Sequence, residues 1–230
     1  MTVMRRMTFS LSPASLSRTS LSLALGTVLA AAPVALPLLP APPALAQSAP
    51  ASAITAPVSA LYAALGQIQA RNSGSFAQRT QTLAPVVDKV YDLATVLRAS
   101  VGLRYAGFSD ADKQQLADVF RQFTVARYVS SFKPGGDARF TVDPTPRPSP
   151  VGSDQIVTTH IGSAEDADGT EIDYVMRSGP QGWRIVDVLL NAHISQVAAQ
   201  RSDFSATLSS GNVQNLIALL QKKVKAFSED

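Results

Sequence analysis

The feature that most limits the fold of this chain is a change of hydrophobic period at Lys133-Pro134-Gly135-Gly136. Upstream of that break, apolar residues recur every three or four positions; downstream they alternate, and near the end the helical spacing returns. A helical period cannot present one apolar face as a strand, nor an alternating one as a helix. The order helices, strands, helices therefore predicts an α+β fold: a curved antiparallel sheet of about four strands wrapped by N- and C-terminal helices.

Leu61, Leu65 and Ile68 mark a first helix from Ile54 to Ala70, after a flexible stretch over residues 47–53. Ser75 is the expected N-cap of a short helix to Leu83, with Pro85 in the first turn of the next. From there Val86, Val90, Leu93, Val96, Leu97 and Val101 form one stripe up to Gly102. Ser109 followed by Asp112 resembles a capping box and opens a long amphipathic helix with Leu116, Val119, Phe120 and Phe123 inward. Strands are expected at Ala138–Val142, Asp154–Ile161, Thr170–Arg177 and Trp183–Leu190, with hairpin turns at Asp166–Gly169 and Gly179–Gly182. In strict alternation the last strand carries Trp183, Ile185 and Leu189 on one face and Val186, Val188 and Leu190 on the other, so both faces are expected to be covered. Two amphipathic helices then close a single domain spanning residues 54–228.

Charge and cysteine content exclude several functions. The chain has 230 residues, 20 Lys+Arg and 17 Asp+Glu, a formal charge of +3. Arg5, Arg6 and Arg18 supply all of that excess, and no acidic residue precedes Asp88. Without its first 46 residues the chain is neutral, which argues against sequence-independent nucleic-acid binding. The absence of cysteine excludes disulfides, thiolate metal sites, a cysteine nucleophile and a lipidated N-terminal cysteine.

The first 46 residues read as an export signal. A basic start is followed by the apolar run Leu21–Ala32 and by Ala44-Leu45-Ala46 ahead of Gln47. That apolar run is shorter than the ~20 residues of a membrane span, and Pro33, Pro37, Pro40, Pro42 and Pro43 follow it. The expected product is cleaved after Ala46 and located in the periplasm.

Catalytic groups are sparse. His160 lies in a strand and His193 precedes a helix, neither in a ligand-spaced cluster, and no nucleophile elbow or phosphate loop occurs. Glu165, Asp166 and Asp168 surround a turn glycine and read as a solvated hairpin; no metal, cofactor or catalytic residue is expected. Arg201 stands out on the apolar stripe Val197, Arg201, Phe204, Leu208, where a charge requires a partner. The options are an ion pair with Asp187, a clamp on backbone carbonyls, or an anionic headgroup at a pocket mouth. Lys222, Lys223 and Lys225 form the outer face of the final helix, a solvated face or a docking patch.

The order Phe76, Arg79, Leu83-Ala84-Pro85, Tyr91-Asp92, Val101-Gly102, the helix Asp110–Tyr128, then Gly182-Trp183-Arg184-Ile185-Val186-Asp187-Val188, Ile194-Ser195, Arg201 and Phe204 resembles the MlaC, or toluene-tolerance auxiliary, family. The resemblance covers Leu61 to Leu220. It implies a soluble periplasmic lipid carrier without enzymatic activity, serving an ABC transporter with an MCE-domain partner in the inner membrane and an outer-membrane lipoprotein complex. It also implies helices that enclose an apolar cavity for phospholipid. His193 stands where the family usually has glycine, and the proline run Pro144–Pro150 is unusual for the phospholipid carriers. The segment Ile194–Phe204 is closer to the hopanoid-associated HpnM branch, so phospholipid and hopanoid both stand as cargo.

Periodicity alone favours a solid core, whereas the resemblance favours a cavity. The expected lipid-binding residues are Val96, Leu97, Val101, Phe120, Phe123, Tyr128, Tyr174, Met176, Trp183, Val188, Ile194 and Phe204, with Arg201 and Asp187 as headgroup contact or structural pair. Two other readings remain: a small cone-shaped α+β enzyme using His160, His193 or an Asp near Tyr174 on a lipid or polycyclic substrate, and a solid-cored adaptor.

Overall fold

A computed structural model describes residues 49–209 and 212–229. The expectations for the leader and its cleavage after Ala46 lie outside the described residues. The first helix, α1 (Ala51–Gln69), begins inside the stretch expected to be flexible and buries Leu61, Tyr62, Leu65 and Ile68. In α2 (Phe76–Val90) Ser75 closes a full capping box: its hydroxyl accepts from the Gln78 amide, and the Gln78 side chain accepts from the Ser75 amide at 2.8 Å. Two helices were expected here, yet α2 runs unbroken through Pro85. Pro85 faces solvent, as does Gln81 four residues earlier, so water can serve the carbonyl that proline leaves without a donor.

The apolar stripe read as one helix breaks instead at Tyr91-Asp92. Tyr91 forms a parallel bridge with Ile185, and the Asp92 amide donates to the Ile185 carbonyl at 3.0 Å. Asp92 then caps α3 (Leu93–Val101), accepting from the Thr95 amide and hydroxyl at 2.9 and 2.6 Å. Gly102, at φ +74°, ends α3 and starts a 3-10 turn to Gly107. Ser109 caps α4 (Asp110–Ser131).

The strands are β1 (Arg139–Val142), β2 (Arg147–Pro148), β3 (Gln155–Gly162), β4 (Thr170–Gly179), β5 (Gly182–Leu190) and β6 (Ile194–Ser195). About four were expected; β2 lies inside the proline-rich loop and β6 immediately before the next helix, and each is only two residues long. The antiparallel order is β1-β3-β4-β5-β6, with β2 also on β3. The chain closes with α5 (Gln196–Leu208) and α6 (Val213–Glu229).

A bulge reassigns one face of the sheet. Val175 pairs with Asp187 and Met176 with Ile185, so Val186 is an extra residue. Trp183 and Ile185 therefore share a face with Val188 and Leu190 and with Ile172, Tyr174 and Met176 of β4, correcting the strict alternation expected for this strand. This inner face meets α1 and α2; α4 packs on α2 and α6, and α3 pairs with α5 beside β5. The outer face carries Ile156, Val175, Val186 and Leu189, with buried Asp173 bound to Arg147 and to the Thr158 hydroxyl.

Arg79 ties α2 to the end of α4. It is only 7% exposed, its Nη1 donates to the carbonyls of Val129 (2.8 Å) and Phe132 (3.1 Å), and its guanidinium lies 5.8 Å from the centre of the Phe76 ring. Replacement by methionine keeps most of the volume and removes both charged donors from a helix C-terminus. Arg79→Met is expected to lower stability by about 3 kcal/mol in urea denaturation, at ~1.5–3 kcal/mol per charged hydrogen bond. A loss below about 0.5 kcal/mol would mean that water serves those carbonyls equally well.

Candidate lipid-binding slot

α4 presents Phe120, Phe123, Thr124 and Arg127 at i, i+3, i+4 and i+7, one stripe directed at the space between α3, α5 and β5. Tyr91, Leu93 and Val96, together with Tyr128, Val188 and Val197, complete a narrow slot of about 30 Å³. Its walls are aromatic and aliphatic inside and polar at the edge, where Asp187, Gln196 and Gln200 also line it.

The edge is closed by α5 through polar contacts. Arg127 Nη1 donates to Gln196 Oε1 at 2.8 Å, and the Ser100 hydroxyl donates to Gln200 Oε1 at 2.9 Å. Asp187 accepts from the Ser195 hydroxyl (2.5 Å) and the Val197 amide (3.0 Å), and the Val188 amide donates to it at 2.7 Å. Only Phe204 and Leu208 of α5 are buried. The N-terminal half of α5 is thus attached mainly by hydrogen bonds, and its C-terminal half by packing, with Phe204 edge-on to Phe120 at 6.3 Å.

A second cavity of about 400 Å³ lies on the outer face of the sheet. It is lined by Ile156, Val175, Val186 and Leu189, by Val151 of the β2–β3 loop and by Ala99 of α3. Asp187 and Val197 line both cavities and form the partition between them.

Tyrosine hydroxyls are among the polar groups within the core. The Tyr91 and Tyr128 hydroxyls are 2.5 Å apart, and Tyr62 bonds to the Thr159 hydroxyl at 2.6 Å. Burial raises the pKa of Tyr91 and Tyr174 well above the usual phenol value and pushes Tyr62 up to about 12. These three phenols stay neutral at physiological pH.

Of the residues expected to bind lipid, the structure brings Val96, Phe120, Phe123, Tyr128 and Val188 together around the slot. Leu97, Val101, Tyr174, Met176 and Phe204 are core residues that do not line it. Trp183 lies elsewhere, in a separate pocket of about 480 Å³ with Ile54, Pro146 and Gln155. Ile194 sits on β6 and is 46% exposed. Arg201 and Asp187 do not pair: Arg201 is exposed, its Nε donates to the Ala99 carbonyl at 2.9 Å, and Asp187 is taken up by the start of α5. The carbonyl clamp is the arrangement present, and full burial on this stripe is confined to Phe204 and Leu208, beyond Arg201.

Neither histidine lines the slot, and Asp173, next to Tyr174 in sequence, points to the opposite face of the sheet. Among the described residues no group of three or more His, Asp or Glu could hold a metal ion. Sequence reasoning missed Tyr91, Leu93, Thr124, Arg127, Gln196, Val197 and Gln200 as lining residues. Thr124 and Arg127 were detectable, since they continue the helical stripe of Phe120 and Phe123.

Comparison with known proteins gives one family and one fold. A family model described as MlaC protein matches residues 56–222. Seven chains of solved structures match. One is a phospholipid-binding protein from Ralstonia solanacearum, determined in complex with a phospholipid; it is 16% identical, with a TM-score of 0.61 over 76% of this chain and 98% of that one. Among curated protein sequences no match is found.

Proposed function

The chain belongs to the MlaC family, whose members are periplasmic and non-enzymatic, and on that premise we propose that it is a soluble carrier of phospholipid between membranes. In this reading the leader is removed after Ala46 and the remainder forms one lipid-binding domain. Cargo is exchanged with an MCE-type ABC transporter in the inner membrane and with an outer-membrane lipoprotein complex.

The observation that carries this reading is the slot, an apolar interior with a polar, hydrogen-bonded edge held by a weakly packed helix. Two acyl chains contain roughly 30 methylenes, and exposing them to water would cost on the order of 20 kcal/mol at ~0.8 kcal/mol each. A carrier must therefore enclose them. A volume of about 30 Å³ cannot, so the slot is a closed state that cargo must open. Displacing the start of α5 would withdraw Val197, one of the two residues shared with the outer cavity of about 400 Å³, and open the slot toward it. The groups broken by that movement are mostly hydrogen bonds that water can replace.

Organic extraction of protein purified from the periplasm, followed by mass spectrometry, tests the proposal. Near-stoichiometric phospholipid is the expected result. Hopanoid in its place would assign the cargo to the other lipid class. Absence of any lipid, both as purified and after incubation with phospholipid vesicles, would overturn the carrier reading.

A further inference from the structure

The tyrosine pair in the slot has one proton more than its partners use. The Thr159 hydroxyl donates to the Ile172 carbonyl at 2.7 Å, so Tyr62 must be the donor in its bond to Thr159, and that pair is closed. Tyr91 and Tyr128 have two protons and one bond between them. Whichever donates, the other keeps an O–H with no acceptor among the described residues. Both side chains line the slot.

We propose that this remaining hydroxyl proton of the Tyr91–Tyr128 pair selects the cargo by donating to an ester carbonyl of an acylated lipid. The inference rests on the carrier reading and names the lipid class it takes. The lining supports it: Val96, Phe120, Phe123 and Val188 are apolar, Arg127, Gln196 and Gln200 are polar, and Tyr128 directly follows Arg127 in α4. An acyl lipid changes from apolar to polar at its ester carbonyls, so a neutral donor at the same transition in the wall matches it. Burial keeps Tyr91 un-ionised and able to donate, and the same desolvation penalises a charged group brought beside it. An unmatched donor in a low-dielectric slot discriminates against a ligand that lacks the acceptor.

The test uses mixed vesicles containing equal amounts of a diacyl phosphatidylethanolamine and its dialkyl ether analogue, which has the same headgroup and chain lengths but no carbonyls. Lipid captured by the protein is quantified by mass spectrometry. The wild-type protein is expected to capture the ester about fivefold over the ether, the value of one net hydrogen bond. The double variant Tyr91→Phe, Tyr128→Phe removes both oxygens and no carbon, and its capture ratio is expected to fall to about one. A wild-type ratio of one with both lipids bound overturns the inference and leaves the carrier reading intact. An ester preference unchanged in the double variant overturns it as well, because the carbonyl is then recognised elsewhere. Capture of neither lipid by the wild-type protein removes the carrier reading and the inference with it.

Discussion

Met176→Glu is expected to abolish folding, whereas Val188→Glu is expected to leave a folded protein without its lipid. The two residues share the inner face of the sheet, on adjacent strands. Met176 is 0% exposed and lines neither the slot nor the outer cavity, so a carboxylate there is cut off from water. Burying an unpaired charge costs several kcal/mol, comparable with the ~5–15 kcal/mol that holds a whole domain together. Val188 is 9% exposed and lines the slot, whose edge includes the guanidinium of Arg127. A glutamate at that position can turn toward the edge and remain solvated, at the expense of the apolar wall that an acyl chain needs. Urea denaturation and extraction of co-purified lipid should separate the two: no cooperative transition for Met176→Glu, and for Val188→Glu a transition within about 2 kcal/mol of wild type with lipid reduced at least tenfold. Unfolding of both variants would make Val188 an ordinary core residue. Normal lipid content in folded Val188→Glu would move the cargo out of the slot.

The α+β order was legible because it rests on periodicity, which survives without knowledge of neighbours. The stripe of α4 led directly to Phe120 and Phe123, and Ser75 and Ser109 located the starts of α2 and α4. Features set by contacts distant in sequence were not legible. The apolar stripe is continuous across Tyr91-Asp92, and only the bond from Asp92 to the Ile185 carbonyl shows why the helix breaks there. The extra residue at Val186 leaves no compositional mark, yet it reverses the facing of every residue beyond it in β5. For the same reason strict alternation placed Trp183 and Val188 on opposite faces when the sheet puts them on one. The strands β2 and β6 are too short to show a period. In the slot, Gln196 and Gln200 were invisible because a cavity edge is polar, and polar residues on a helix read as solvated surface. Arg201 drew attention on the assumption that α5 is buried along its length, and α5 is buried only at Phe204 and Leu208.

Asp187→Ala is expected to release α5 before the rest of the protein unfolds. The carboxylate accepts from the Ser195 hydroxyl and the Val197 amide, so it holds the N-cap residue and one of the otherwise unserved amides of the first turn. Ser195 in turn accepts from the Ala198 amide at 2.9 Å, and loss of Asp187 frees its hydroxyl to rotate away. The methyl group of alanine replaces none of these acceptors. Global stability should drop by about 2 kcal/mol, the upper end for loss of a helix cap. The larger effect is local. Amides over Gln196–Gln200 should lose at least tenfold in hydrogen-exchange protection, while those of α1 and β4 change only by the global amount, since low-stability segments open independently of the core. Asp187→Asn keeps one acceptor oxygen and should fall between alanine and wild type. If displacement of α5 is the step that admits cargo, the same variants should release bound phospholipid to acceptor vesicles faster, in the order Ala, Asn, wild type. Faster exchange in α5 with no change in lipid release would show that cargo leaves by another wall of the slot, and uniform loss of protection across the molecule would show that α5 unfolds only with the core.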